Sequence, residues 1–404
     1  MKILYFGTVC DLKEYEAMLS DCKEKASIAT IVFESALLSG LKQNGAEVEV
    51  LSYPMIPAFP HSKFVKWGNK SQTLPCGYNC TWLKTINIPV LKQLSRRING
   101  RRLLKKWLKN NQGEDLAVLS YSMPPFLTAD IIKLTSRYGA KCFTVLTDLL
   151  RDMYINSNDN KLLSKLKSKY LSKAINLQGS FDGYIYLTEA MKDVVSPDKP
   201  YIVMEGIADT DTFDTSGNVE KARPAAVMYA GMLEEKFGIL NLVDAFESVG
   251  LPDTQLWIFG SGNAADTVKA RSESNPNIVY FGRKDRADIL RYEQKASVLV
   301  NPRSTEDEFT RYSFPSKTIE YMMSGTPVIT TELSGIPKEY FDYLFTAESN
   351  SVADLKSAIM YVLSLSDDNK ASFGAKAKNF IINNKNAKVQ SNRIIEFMTE
   401  VFKS

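Results

Sequence analysis

The sequence predicts an α/β protein built from two doubly wound parallel sheets, and three observations predict it. The chain has 404 residues, enough for two domains of ordinary size. Short apolar runs that read as strands alternate with longer amphipathic segments almost throughout. The alternation is interrupted once, over Ser196–Pro224, a stretch rich in Pro, Asp and Gly where a boundary belongs.

In chain order, the first series opens with a strand over Ile3–Gly7, a helix over Ile28–Gln43 and a strand over Val48–Tyr53. Leu116–Tyr121, Lys141–Thr147 and Gly183–Leu187 continue it. The second series runs through Ala226–Gly231, Gln255–Phe259, Ile278–Phe281, Val298–Val300 and Pro327–Thr331. A last periodic segment, Ala387–Lys403, carries apolar residues at Val389, Ile394, Ile395, Met398 and Val401. The expected domains are residues 1–200 and 201–386, followed by the helix 387–404.

Hydrophobic residues make up 44% of the chain and aromatics 11%, ample for two cores and unlike a disordered composition. No uninterrupted apolar run approaches the ~18–20 residues of a membrane span. Met1–Gly7 reads as a strand rather than a secretion signal, so a cytoplasmic protein is expected. Five cysteines lie in the first half, and Cys76 and Cys80 are the only close pair. With one histidine in the chain, His61, no further ligands complete a zinc site, and a reduced pair without metal is expected.

Net charge is +4 but unevenly spread. Residues 1–195 carry 27 Lys and Arg against 17 Asp and Glu, while 196–404 carry 23 against 29. Between Leu51 and Gly113 there are 12 basic residues and no acidic one. Within that window Leu103, Leu104, Trp107 and Leu108 can share one helical face, with Arg96, Arg97, Arg101, Arg102, Lys105, Lys106 and Lys109 around the rest. A basic amphipathic helix with tryptophan suits an anionic membrane surface, at ~1 kcal/mol per well-placed cation. A solvated helix whose leucines pack on a sheet is the competing reading. A second basic run, Lys161–Lys173, extends the patch in sequence.

The stretch most informative about chemistry is Arg311-Tyr-Ser-Phe-Pro-Ser-Lys317-Thr-Ile-Glu320-Tyr-Met-Met-Ser-Gly325-Thr-Pro-Val-Ile-Thr330. Pro315 suits the first turn of a helix and Gly325 its end. The N–H groups of Ser313, Phe314, Ser316 and Lys317 then favour an anion, with the Lys317 cation beside them. Glu320 lies about a turn further on, placed to accept from a hydroxyl pair. Diphosphate at the helix end and ribose on the carboxylate is what a sugar nucleotide requires.

This stretch resembles the donor motif of the retaining glycosyltransferases of family 4, of the type that builds bacterial surface polysaccharides. Tyr229-Ala-Gly231-Met-Leu-Glu-Glu-Lys236-Phe-Gly238 is similar to the family's strand and loop in which a glycine and a cation meet the diphosphate. Leu256-Trp-Ile-Phe-Gly260-Ser-Gly262 is similar to the next strand and turn, and Val279–Gly282 with Ser297–Pro302 to the two strands before the signature helix. More weakly, Leu187–Met191 and Glu205–Asp209 look like the approach to the domain junction. The resemblance implies the GT-B architecture: two Rossmann-like domains facing a central cleft, the first taking the acceptor, the second the donor, and the final helix crossing back to the first. Gly7 and Thr8, at the end of the first strand, would approach the donor diphosphate and the acceptor, or else form an ordinary turn. Asp148, after Lys141–Thr147, would position acceptor or donor sugar, or else cap the following helix.

Two positions depart from the family pattern. Tyr312 stands where the first of two spaced glutamates is usual, and Met232 where an arginine follows the strand glycine, leaving Lys236 as the cation. The implied activity is transfer, with retention, of a sugar from a nucleotide sugar, a UDP-sugar by family expectation, to a lipid-linked glycan in capsule, exopolysaccharide or O-antigen synthesis. It would act at the inner face of the cell membrane, without a metal or other cofactor. Lys236 and Lys317 would offset charge on the leaving diphosphate. Two readings stay open: a sugar-nucleotide epimerase of the same architecture, which the single histidine disfavours, and a nucleotide-binding homologue without activity. Nucleic-acid binding finds no accompanying motif.

Overall fold

The computed structural model describes residues 1–20, 22, 29–149, 168, 171–172, 174–208, 210, 219–251 and 253–404. The lysines of the second basic run, Lys161 to Lys173, and also Ile28 and Asp209, lie outside the described residues. The chain divides into two compact units, Met1–Ile207 with Ala387–Ser404, and Ala208–Asn386.

In the first unit the strands are β1 (Lys2–Gly7), β2 (Glu47–Ser52), β3 (Lys66–Trp67), β4 (Ser71–Thr73), β5 (Asn79–Trp82), β6 (Thr85–Ile86), β7 (Leu116–Tyr121), β8 (Lys141–Leu146), β9 (Gly183–Tyr186) and β10 (Tyr201–Val203). Eight form one sheet in the order β10-β9-β8-β7-β1-β2-β5-β4, parallel except at β4–β5. The remaining two, β3 and β6, make a small antiparallel pair. Helices α1 (Leu12–Ser20), α2 (Ala29–Gln43), α3 (Leu91–Asn110), α4 (Thr128–Tyr138) and α5 (Met191–Val195) connect the strands. The central β7, Leu-Ala-Val-Leu-Ser-Tyr, is buried along its whole length, as expected of a strand covered on both faces.

The second unit holds β11 (Ala225–Met232), β12 (Thr254–Ser261), β13 (Ile278–Gly282), β14 (Val298–Asn301), β15 (Val328–Thr331) and β16 (Phe345–Ala347), all parallel, in the order β13-β12-β11-β14-β15-β16. Its helices are α6 (Ile239–Val249), α7 (Ala265–Ser274), α8 (Arg286–Lys295), α9 (Lys317–Met323), α10 (Val352–Ser364) and α11 (Asp367–Asn384). Each sheet has its own apolar core.

The last helix, α12 (Ala387–Lys403), belongs to the first unit. Ile394, Phe397, Met398 and Val401 enter that unit's core. Gly40 of α2 faces it so closely that a Cβ there would strike the carbonyl of Ala387 and the hydroxyl of Ser391. Ser391 Oγ donates to Leu37 O at 3.0 Å and Asn44 Nδ2 to Lys388 O at 2.8 Å.

The basic helix corrects one expectation. It is α3, and its Leu104, Trp107 and Leu108 are buried, with Leu103 half-buried, so this apolar face is part of the unit's interior. Trp107 Nε1 donates to Glu49 Oε1 at 3.0 Å. Arg96, expected to contact a membrane, is 1% exposed; its Nη2 donates to Pro54 O at 2.7 Å and its guanidinium lies over the Tyr53 ring. Arg97 pairs with Asp130 at 2.7 Å, and Arg101 approaches the same carboxylate at 3.6 Å. Arg102, Lys105, Lys106 and Lys109 are exposed. Among the described residues no helix is long and apolar enough to cross a membrane.

Candidate functional site

The donor candidates of the second unit gather at the carboxyl ends of its strands, where ligands sit in sheets of this kind. Gly231 and Gly260 are register partners on β11 and β12. Gly260 has φ +135, and a Cβ on it would run into Gly231 O. Gly262 presses on the backbone of Leu233 in the same way, while Leu233 N donates to Ser261 O at 3.0 Å and Ala264 N to Leu233 O at 2.8 Å. The two loops therefore pack backbone against backbone, with no room for side chains between them.

Lys236 sits in a short turn after β11, its ammonium 5.3 Å from the Phe237 ring and 5.6 Å from that of Phe309. Arg303, two residues past the end of β14, lays its guanidinium 4.6 Å from the same Phe237 ring. Two cations thus share one aromatic platform. Burial pushes the Arg303 guanidinium down from its usual value, against the opposing influence of Tyr229 and Tyr321. Arg303 escaped the sequence reading; its signal was its place just beyond a strand end, at Asn301-Pro302-Arg303.

Helix α9 carries Lys317 and Glu320, and the structure brings the two into a direct ion pair. The other oxygen of Glu320 lies 3.6 Å from Arg286 Nε, on α8. Glu293, also on α8, is fully buried; neither of its oxygens has a hydrogen-bond partner, and Lys317 Nζ lies 3.7 Å away. Burial and the neighbouring Glu320 hold the Glu293 carboxyl well above the usual range, although Lys317 pulls it down. Burial opposes ionisation of Glu320 too, but Lys317 and Arg286 outweigh it and keep that carboxyl below its ordinary value. Lys317 is raised, because Glu320 and Glu293 outweigh the effect of burial. Arg286 and Glu293, seven residues apart on one helix face, were not singled out from sequence.

Tyr321 ties α9 to β11, its hydroxyl accepting from Ala230 N at 2.8 Å and donating to Ala230 O at 3.1 Å. In the preceding loop Phe314 turns its ring into the core against Tyr340, 5.5 Å away, so its side chain is structural. Ser313 is half-buried and Ser316 exposed. Tyr312 lies under the Arg311 guanidinium.

In the first unit, Gly7 and Thr8 close β1 against Glu34 of α2, a residue the sequence reading passed over. The Glu34 carboxylate accepts from Tyr5 Oη and Thr8 N, each at 2.9 Å, and from the Thr8 hydroxyl. A Cβ on Gly7 would strike it. Burial pushes Glu34 up to about 7, although Thr8 and Tyr5 pull it down. Asp148 is exposed beyond β8 and accepts from Thr147 Oγ1 at 3.2 Å; the segment it would cap lies outside the described residues.

Residues 211–399 match the family described as glycosyl transferases group 1. No curated protein sequence matches the chain significantly. Among solved structures, sucrose-phosphate synthase from Thermosynechococcus elongatus aligns over 100% of both chains, with a TM-score of 0.66 at 15% identity. The lipopolysaccharide outer core galactosyltransferase WaaB aligns over 99% of each chain, with a TM-score of 0.61 at 14% identity. HepE of Anabaena, solved in complex with UDP, aligns over 99% of this chain and 100% of its own, with a TM-score of 0.62 at 14% identity.

Proposed function

For a chain that is a glycosyltransferase of the two-domain, Rossmann-like GT-B fold, we propose retaining, family 4-type transfer of a sugar from a UDP-sugar to a lipid-linked glycan in surface-polysaccharide assembly. The observation that carries the donor half is the cluster in which Lys317 and Arg286 hold Glu320 ionised at the strand ends, with Lys236 and Arg303 on the Phe237 ring. Glu320 would accept from the ribose hydroxyls through the lone pairs its two cations leave. Lys317, Lys236 and Arg303 would oppose the charge that develops on the leaving diphosphate, where fixed cations are often worth a few kcal/mol. The backbone of Gly231, Gly260 and Gly262 and the turn Ser313–Ser316 would let the diphosphate approach closely.

In retention without a protein nucleophile, the acceptor hydroxyl attacks the face the diphosphate leaves, and a phosphate oxygen takes its proton. A chain with a single histidine is compatible with that chemistry. In the first unit Gly7, Thr8 and Asp148 would face substrate, with Glu34 fixing the Gly7–Thr8 turn. The uridine choice and the lipid acceptor are supported by likeness of fold to a protein solved with UDP and to a lipopolysaccharide galactosyltransferase. A lipid acceptor requires work at the cytoplasmic membrane face, toward which the cationic surface of the first unit would turn.

The test is the melting temperature with UDP, GDP, ADP and CMP, for the natural chain and Glu320→Gln. A nucleotide at 100 times its Kd stabilises by roughly 2.7 kcal/mol. A shift with UDP that the variant loses supports the donor site. No shift with any nucleotide removes it.

A further inference from the structure

Helix α3 shows opposite faces along its 20 residues. Arg96, Asn99, Gly100, Leu104, Trp107 and Leu108 form the inward side. The outward side follows the helical repeat through Leu91, Leu94 and Ile98 and then through Arg102, Lys105 and Lys109, all exposed. The first half of this stripe is therefore apolar and the second half cationic. Ile98 is 62% exposed and Leu94 48%, high for large aliphatic side chains with a core within reach.

The apolar half does not stand alone. Phe59 N donates to Asn87 O at 2.8 Å, and Lys92 N to Ile88 O at 2.9 Å, which brings the loop at Phe59 beside Ile88, Val90 and the first turn of α3. Phe59 and Val90 are exposed as well. Among the described residues, nine of the fifteen large apolar side chains left exposed fall between Met55 and Ile98. Isolated exposed leucines mean little, but a concentration of them marks a surface that is covered by something.

Charge decides what covers it. The patch lies wholly inside the window Leu51–Gly113, which has 12 basic residues and no acid. A symmetric dimer through this face would set a cationic helix against its own copy. An anionic bilayer satisfies both halves of the stripe: the aliphatic side chains enter the headgroup boundary while the cations meet phosphates, their methylene stems lying along the apolar surface.

We propose that the outward stripe of α3, with Phe59, Ile88 and Val90 beside its amino-terminal half, is an interfacial anchor that docks the first unit on an anionic phospholipid bilayer. This rests on the membrane reading of the function but assigns contact to a face other than the buried Leu104–Trp107 side. The apolar half supplies salt-resistant insertion and the cationic half salt-sensitive attraction.

Full-length protein would be sedimented with phosphatidylglycerol/phosphatidylcholine vesicles and with pure phosphatidylcholine vesicles, in low and physiological salt. Leu94→Ser with Ile98→Ser is expected to lower anionic-vesicle binding at least tenfold at both salts. Arg102→Ser with Lys105→Ser and Lys109→Ser is expected to lower it steeply at low salt and less at high salt. All substituted side chains are exposed, so the UDP melting shift, measured on the same samples, should match the natural chain. Binding unchanged in the apolar variant overturns the anchor. So does a natural dimer that becomes monomeric in that variant, because a second copy then covers the face. Vesicle binding as expected without any UDP shift would leave the anchor standing and remove the donor assignment instead.

Discussion

Glu293 and Lys317 lie 3.7 Å apart, and the closer pairing of Lys317 is not with Glu293 but with Glu320. One cation thus faces two carboxyls whose affinities for a proton are shifted in opposite directions. Glu293 is shifted upward because it is buried beside a second acid. Glu320 stays ionised because it keeps Lys317 and Arg286.

Because burial and Glu320 favour its protonated form, replacing Glu293 with the similarly shaped Gln should cost little, within about 1 kcal/mol. Lys317→Met should weaken UDP binding at least tenfold, because Glu320 would then take up a proton more readily. Melting curves and UDP titration of both variants check this. A loss in Glu293→Gln as large as in Lys317→Met would mean that Glu293 carries a charge.

Gly260→Ala should destabilise the protein by ~3 kcal/mol or more, because the new methyl meets Gly231 O and the residue must hold φ +135. Gly282→Ala is the control. Its φ is +66 with nothing within 4 Å of the added atom, so only backbone strain of ~1 kcal/mol applies. Equal losses in the two variants, read from urea unfolding, would sink the close-approach argument.

Glu34 gives the first unit a pH dependence of definite sign. Its folded value of about 7 lies above the ordinary carboxylate range, so the folded state holds a proton that the unfolded chain releases. The contribution is fully present below about pH 4, falls as pH rises, and is lost through pH 7, by roughly 3 kcal/mol at most. Glu34→Gln should remove this slope, which melting temperatures at pH 5 and pH 7.5 would reveal. An identical slope in the variant would assign it to other groups.

Arg303→Met should lower UDP affinity about tenfold to a hundredfold while leaving the fold intact, as expected for loss of one cation–phosphate contact. Calorimetric titration of the variant is the check. Unchanged affinity would leave Lys236 as the cation of that platform.

The fold was legible because both sheets announce themselves in strands such as Val298–Asn301 and Val328–Thr331, apolar runs between turn signals. The short antiparallel pieces β3 to β6 were not, because strands of two to four mixed residues have no period to detect. In the candidate site, Lys317 and Glu320 stood out since they neighbour each other on one short helix. Glu293, Arg303 and Glu34 reach their positions through tertiary packing from other elements, and a lone acid or arginine in a helix or loop carries no local mark. Trp107 shows the converse: amphipathic spacing located the helix, but the side that packs inward is decided by the neighbouring sheet.

The position of α12 has a consequence for how the protein is made. A ribosome releases residues 1–207 long before Ala387–Lys403, yet the core of the first unit includes Ile394, Phe397, Met398 and Val401. The second unit needs no residue beyond Asn386 for its core, while the Gly40 face of α2 stays bare until Ala387–Lys403 emerge. The first unit would therefore stay incomplete while the whole second unit is being made, and its bare α2 face would need protection from aggregation until α12 docks.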